Sequence, residues 1–173
     1  MKTRHQDRVQ RARDSAELPQ ALPHLVFEVD SQLYACPVAH LQRLMRLIDA
    51  KTSEATGNVP AYETGRLLAE GTDIPIISLR QLWGLPALSR DAQHRQALLL
   101  LENQEGRVAF VVDSCRCVLP QLPRQARPFD LPAPLKGLRG ATFKTAVPWS
   151  GVLLITVDLL APVQSQPSLA ETT

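Results

Sequence analysis

The sequence has 173 residues, of which 45% are hydrophobic and 21% are charged, and its formal net charge at pH 7 is +2. This balance is typical of an ordinary globular protein with one domain, or with two small subdomains that share a core. It excludes a largely disordered chain and leaves no charge excess that would indicate nucleic acid as a partner.

Three features predict the compartment. No apolar run is long enough to cross a bilayer, so we expect no direct membrane insertion. Residues 1–14 lack the apolar core of an export signal. The three cysteines are an odd number without the spacing of a disulfide framework, which favours a reducing environment. We therefore expect a cytoplasmic protein.

The N-terminal third begins with a predicted tail and a predicted hairpin. Residues 1–23 are rich in Arg, Gln and Asp, which predicts a disordered segment. Ordered structure is expected to begin at His24. Residues 25–30 and 33–38 read as two strands joined by a turn at Ser31-Gln32.

Residues 39–50, AHLQRLMRLIDA, fit two structures. Leu41, Leu44, Leu47 and Ile48 have the spacing of one helical face. The alternation Leu41, Arg43, Met45 fits a strand less well. The residues by themselves leave helix and strand open.

The next part of the chain alternates short apolar runs with turn signals. Residues 51–60 are a polar loop, and residues 71–73 form a turn that leads into a buried strand over 74–79. Residues 79–86 predict a single helical turn that ends at Gly84 and Pro86. Residues 88–95 are polar and are interpreted as a linker.

The longest apolar stretch predicts a hairpin at the centre of the fold. Residues 96–101 and 107–119 are apolar runs around the turn Asn103-Gln104-Glu105-Gly106. Side chains at 108, 110 and 112 would face one way and those at 109 and 111 the other. Because both sets are apolar, we expect this strand to be buried on both faces.

The C-terminal part continues the pattern of short strands. Residues 120–137 form a proline-rich connection, residues 138–145 and 152–160 are predicted strands, and 148–151 is a turn. Residues 163–173 are predicted to be a disordered tail. Many strands, few helices and no βαβ alternation predict an all-β protein closed into small barrels, with short helices and flexible tails.

Residues that could carry chemistry are few. Cys115 and Cys117 form a C-x-C pair whose side chains would share one face of a strand. With Cys36 and a histidine they could be written as a zinc site, but structural zinc usually needs paired C-x-x-C knuckles, so small buried thiols are the favoured interpretation. Gly-rich phosphate loops are absent and no oxyanion loop surrounds a cysteine. We predict no catalytic residue, no metal site and no cofactor.

Four segments together resemble the CheW-like family, the coupling proteins of bacterial chemotaxis. Residues 25–44 resemble its opening hairpin and the hydrophobic turn after it, which favours a short turn followed by a strand in segment 39–50. IPIISLRQLWGLP resembles its Pro-Ile strand and short helix. AFVVDSCRCVL is similar to its Val-Asp strand. LKGLRGATF and GVLLITVDLL are similar to its Gly-Leu segment and last strand. The resemblance covers residues 24–162.

The resemblance implies two small SH3-like β-barrel subdomains packed side by side, without catalytic activity. It further implies an adaptor that couples chemoreceptors to a CheA-type histidine kinase in chemotaxis or a related sensory array. One face would pack on the regulatory domain of the kinase. A groove between the barrels would receive the tip of a methyl-accepting chemoreceptor. The expected organisation is a domain at 24–162 between a 1–23 tail and a 163–173 tail.

This sequence departs from the family pattern at two polar positions. The family commonly has Asn-Leu-Arg-Gly where residues 68–71 are Leu-Ala-Glu-Gly, and an acidic residue where Arg43 stands. We therefore hypothesise that Arg43 and Glu70 form an ion pair of reversed polarity. The loss of Asn-Leu-Arg also leaves open a specialised array, for example one for surface motility, that has lost the standard receptor contacts.

An adaptor predicts an exposed apolar patch near a sheet end or groove, around Leu41, Leu44, Cys115 and Val118. For Leu44 and Val118, burial in a barrel core fits the sequence equally well. A third interpretation, a small barrel that binds a ligand or nucleic acid, would need a deep cleft with polar or basic groups, and no such cluster is visible. The predicted protein-interface residues are Leu41, Arg43, Leu44, Glu70, Cys115 and Val118.

Overall fold

The computed structural model describes residues 22–123 and 142–160. Residues 1–21 and 161–173, which make up nearly all of the predicted tails, and most of the proline-rich connection lie outside these ranges, so the domain limits remain a prediction. Within the ranges the chain forms short strands and two four-residue helices. The strands are β1 His24–Val29, β2 Gln32–Pro37, β3 Leu41–Arg46, β4 Thr52–Ser53, β5 Glu63–Ala69, β6 Thr72–Ser78, β7 Ala97–Asn103, β8 Gly106–Val112, β9 Ser114–Leu119, β10 Thr142–Trp149 and β11 Val152–Asp158, and the helices are α1 Leu79–Leu82 and α2 Arg90–Gln93.

The strands form two curled sheets, which confirms the all-β prediction with two subdomains. The first sheet has the order β10-β11-β2-β1-β9, and the second has the order β3-β7-β8-β6-β5-β4. The chain leaves the first sheet after β2 and returns to it at β9. Most neighbouring strands are antiparallel, while β11 with β2 and β6 with β8 are parallel.

The largest hydrophobic core lies between the sheets. It joins residues of β1 and β2, such as Phe27 and Tyr34, to residues of β7 and β8, such as Leu99 and Phe110. Trp83, which follows α1, packs on Tyr34 of the first sheet with 4.9 Å between the ring centroids. Burying an aliphatic or aromatic side chain stabilises a fold by about 1.5–3 kcal/mol. This shared core therefore holds the two sheets as one unit.

The central hairpin is confirmed, and so is its burial on both faces. Val108, Phe110 and Val112 point into the core between the sheets. Ala109 and Val111 belong to a second core on the other face of the second sheet. Strand β8, with apolar residues at both phases of its alternation, therefore lies at the centre of the molecule.

We expected the apolar run 107–119 to form one strand, but it is divided between two strands. Strand β8 ends at Val112 in the second sheet, and β9 begins at Ser114 in the first. Asp113 stands between them, and its backbone N–H donates to the Glu28 carbonyl of β1 over 3.0 Å. The chain therefore crosses from one sheet to the other at a single acidic residue.

The prediction for the C-x-C pair is wrong because β9 contains a β-bulge. Cys117 is opposite Val26 of β1, whereas Cys115 is opposite Phe27, so Arg116 is an extra residue. Adjacent residues of β1 face opposite sides of the sheet, and the two cysteines therefore do so as well. Cys115 packs on the core between the sheets, and Cys117 is exposed.

The ambiguous segment 39–50 is a strand flanked by two short 3-10 turns, Val38–His40 and Leu47–Asp49. Strand β3 pairs with β7, with Leu44 opposite Leu99. The first hairpin turn is at Asp30-Ser31, one residue before the predicted position, and both residues have positive φ, at 53° and 63°. Two successive positive φ angles are typical of the type I′ turn that matches strand twist.

Helix α1 lies where the single helical turn was predicted, and Ser78 caps it by accepting from the Gln81 N–H over 3.4 Å. Helix α2 interrupts the segment that was interpreted as a linker. Within the described residues, no helix has the length and apolar character that spanning a membrane requires.

Candidate functional site

A groove of about 650 Å³ separates the facing edges of the two sheets. Strand β3 is at one end of the second sheet and β9 is at one end of the first. Leu44 of β3 is 45% exposed there. The lining is completed by residues of β3, β7, β9 and the segment after α2, and comprises Leu44, Met45, Arg46, His94, Arg95, Ala97, Ser114 and Cys115.

A smaller polar cavity of about 190 Å³ adjoins this groove and shares Arg95, Ser114 and Cys115 with it. We call it the polar well. Two ion pairs face into it, and in the first of them Arg116 of β9 binds Glu28 of β1, with 2.9 Å between Nε and Oε2. The second pair joins Arg80 to Asp113. The polar well is therefore lined by charges that are largely balanced against each other.

The Arg80–Asp113 pair lies at the crossing point between the sheets. Arg80 donates from Nε to Asp113 Oδ1 over 2.7 Å and from Nη2 to Oδ2 over 2.8 Å. Both residues are only 9% exposed. Hydrogen bonding to Asp113 raises the pKa of Arg80 above its ordinary value, although burial opposes the shift. The guanidinium is therefore a fixed charge that orders this junction.

The structure brings two of the predicted interface residues together, since Leu44 and Cys115 both line the groove. Leu41 lies on the same strand as Leu44, partly buried against the core between the sheets. Val118 lies further along β9 and is 53% exposed. Burial in a barrel core is therefore excluded for Leu44 and Val118.

The hypothesis of an Arg43–Glu70 ion pair is wrong. Glu70, in the turn between β5 and β6, binds Arg107 of β8 with 3.1 Å between Oε2 and Nη1. Arg107 also reaches Glu102 on the neighbouring strand, at 3.3 Å. Arg43 is exposed on β3 and has no ion-pair partner among the residues that the structure describes. Glu70 and Arg43, the two positions at which charge is reversed relative to the family pattern, therefore do not contact each other.

Sequence reasoning missed the basic side of the groove. Arg46, His94 and Arg95 line it together with Met45 and Ala97. His94 and Arg95 belong to a segment that was interpreted only as a polar linker. Their one sequence signal is a basic pair directly before a strand, and nothing local indicates that β9 would lie opposite.

The three cysteines differ in exposure: Cys36 is buried, Cys115 is half-buried and Cys117 is exposed. Burial, reinforced by the nearby Cys115 thiol, raises the pKa of Cys36 to about 12, and burial raises the pKa of Cys115 to about 11. Both thiols are therefore protonated at neutral pH and are weak nucleophiles. Among residues 22–123 and 142–160, no cluster of three or more His, Cys, Asp or Glu side chains is placed to hold a metal ion.

Comparisons with known proteins give the family. The sequence matches the family model described as CheW-like domain over residues 23–164. The fold is similar to the crystal structure of the scaffolding protein TtCheW from Thermoanaerobacter tengcongensis, with a TM-score of 0.65 and 16% identity over 80% of this chain and 90% of that one. Among curated proteins no match to the sequence was found. Because the family model covers most of the sequence, the chain belongs to the CheW-like domain family, whose members have scaffold and adaptor roles in chemotaxis signalling.

Proposed function

We propose that this protein is a non-catalytic adaptor that holds the tip of a helical chemoreceptor next to the regulatory domain of a CheA-type histidine kinase. The observation that carries the proposal is the groove between β3 and β9, which exposes Leu44 beside Cys115. Other leucines are exposed to a similar degree, but Leu44 lies in a groove with Met45, Ala97 and Cys115, so a partner could cover several apolar side chains at once. The adaptor therefore uses this groove to hold a partner.

The shape of the groove favours a receptor helix as its occupant. It is an open groove whose apolar lining residues are Leu44, Met45 and Ala97 of the second sheet and Cys115 of the first. An amphipathic helix binds such a groove by inserting residues at spacings of three and four, which lie on one of its faces. The tip of a helical chemoreceptor would supply such a face.

We assign the kinase contact to predicted residues outside the groove. Arg43 is exposed on β3, and Val118 is 53% exposed on β9. Leu41 and Glu70 complete this group, with Leu41 acting through the packing of β3. A stable contact with the kinase domain should bury about 1,200–2,000 Å² in total. Two separate contact surfaces would allow both partners to bind at once.

The test is a pair of binding titrations with purified proteins. One uses the cytoplasmic tip fragment of a chemoreceptor from the same genome, and the other uses the kinase regulatory domain. Leu44→Asp should weaken receptor binding at least about tenfold, since a carboxylate in an apolar contact loses its hydration. Leu68→Asp is the matched control, because Leu68 is a leucine of similar exposure, 53%, on β5 and does not line the groove.

Each arm has an outcome that contradicts the proposal. Absence of binding to both partners at tens of micromolar would remove the adaptor function. Equal losses from Leu44→Asp and Leu68→Asp would remove the groove as the receptor site. Val118→Asp should weaken kinase binding and leave receptor binding unchanged. Loss of receptor binding with unchanged kinase binding would contradict the assignment of Val118 to the kinase contact.

A further inference from the structure

We propose, on the basis of the adaptor function above, that the helix in the groove carries a carboxylate at the edge of its apolar face and that this carboxylate binds Arg95. Arg95 would then select the partner as well as hold it. The inference comes from the charges of the groove and of the polar well beside it.

The described residues that line the groove include basic side chains and no acidic one. Arg46, His94 and Arg95 are the basic members. Arg46 is already occupied, because its Nε lies 2.7 Å from Asp49 Oδ2 and its Nη2 lies 3.0 Å from Oδ1. Arg95 has no carboxylate partner among residues 22–123 and 142–160. The groove therefore offers one permanent charge without a counter-charge.

The polar well cannot supply that counter-charge. Arg95 lines it as well, and its two acidic residues are Glu28 and Asp113. Glu28 is bound by Arg116, and Asp113 accepts two hydrogen bonds from Arg80. Pairing Arg95 with Glu28 would take this carboxylate from Arg116. Pairing Arg95 with Asp113 would break the bidentate contact of the buried Arg80, which would keep only Asp30, at 3.2 Å. The favourable partner for Arg95 is therefore an external carboxylate.

The backbone at Arg95 is held in place, which favours a specific contact. The Arg95 N–H donates to the Ala92 carbonyl over 3.1 Å, and the next N–H, of Gln96, donates to the Gln93 carbonyl over 3.1 Å. The side chain therefore starts from a fixed point at the boundary between groove and polar well. A guanidinium binds a carboxylate through two parallel hydrogen bonds, which adds directional selectivity.

The experiment measures binding of the chemoreceptor tip fragment to Arg95 variants in low and high salt. We expect Arg95→Ala to weaken binding about tenfold and Arg95→Glu about a hundredfold at low salt. Arg90→Glu is the matched control, because Arg90 is an exposed arginine five residues earlier that lines neither cavity. It should change the affinity less than about twofold. Affinity of the unchanged protein should fall with salt more steeply than that of Arg95→Ala.

A charge exchange identifies the carboxylate on the partner. Each Asp and Glu of the tip fragment is changed to Lys in turn and titrated against Arg95→Glu. Recovery of affinity by one of these changes, and by no other, would support the direct pair. Arg95→Glu that binds as tightly as Arg90→Glu, while Leu44→Asp abolishes binding, would overturn this inference and leave the adaptor function standing. Absence of binding by the unchanged protein would overturn both.

Discussion

Arg80 and Asp113 form a bidentate, buried ion pair at the point where the chain passes from the second sheet to the first. Arg80 belongs to α1, which follows β6 of the second sheet, and Asp113 lies between β8 and β9. Asp113 Oδ2 also accepts the backbone N–H of Asp30, in the first hairpin turn, over 2.7 Å. Three separate segments therefore depend on one carboxylate.

Asp113→Ala should destabilise the protein by about 3 kcal/mol, because the buried Arg80 guanidinium loses both bonds to Asp113 and keeps as counter-charge only Asp30, whose Oδ1 is 3.2 Å from Nη2. The measurement is the free energy of unfolding from urea titration, followed by circular dichroism. Asp49→Ala is the control. It breaks the Arg46–Asp49 pair, whose side chains are 69% and 54% exposed, and should cost about 0–1 kcal/mol. A loss of less than 1 kcal/mol for Asp113→Ala would show that the buried pair does not hold the sheets together.

The fold could be predicted where local pattern and environment agree, and β8 is the clearest case. Its residues are apolar on both faces, which predicted burial on both sides, and in the structure each face contacts a different core. The residue pattern alone could not decide segment 39–50, because its leucines satisfy the spacing of a helix; only the family resemblance favoured a turn followed by a strand. It becomes a strand because β7, more than fifty residues later, supplies the backbone hydrogen bonds. Pairing with a distant strand outweighed local propensity.

The candidate site was predicted in part for a related reason. Leu44 and Cys115 were chosen through the family resemblance, and the fold brings them to one groove. Arg95 was missed because its importance arises from which carboxylates nearby are already bound, and a sequence does not show that. The prediction that Cys115 and Cys117 share one face of the strand was wrong, because the bulge at Arg116 shifts the alternation of β9. No local residue indicates that bulge.

Gly65→Ala should destabilise the protein by about 1–3 kcal/mol, as expected for overpacking in a tight core. A Cβ at this position of β5 would lie 2.7 Å from the backbone oxygen of Ser53 on β4. Because that oxygen belongs to the backbone, β4 itself would have to move. Thr64→Ala, at the exposed neighbouring position, is the control and should cost less than about 0.5 kcal/mol. Equal urea midpoints for the two variants would contradict the close approach of β4 and β5.

The free energy of unfolding should fall as the pH rises from about 9 towards 12. Burial raises the pKa of Cys36 from its ordinary 9.0 to about 12, and that of Tyr34 from 10.0 to about 12. Between these values the folded state keeps protons that the unfolded state has lost, so higher pH favours unfolding. The stabilisation that the protonated Cys36 and Tyr34 side chains contribute is fully present below pH 9.

Cys36→Ala isolates the thiol contribution in urea titrations at pH 8, 9 and 10. This variant should be less stable at pH 8, because a buried side chain becomes smaller, but its stability should decline less between pH 9 and 10. Cys117→Ala removes an exposed thiol and should keep the decline of the unchanged protein. A decline of equal steepness in both variants would show that the buried Cys36 thiol is not its cause.

Thiol labelling at pH 8 should distinguish the three cysteines by rate. Cys117 is exposed and should react first with iodoacetamide, whereas Cys36 is buried and should react only after unfolding. Cys115 should be slow, because at a pKa of about 11 only about one thiol in a thousand is the reactive thiolate. Mass spectrometry of the labelled peptides gives the rates, and a urea-unfolded sample, in which all three should react alike, is the control. Labelling of Cys115 as fast as Cys117 in the folded protein would mean that the bulge at Arg116 does not turn the Cys115 side chain towards the core between the sheets.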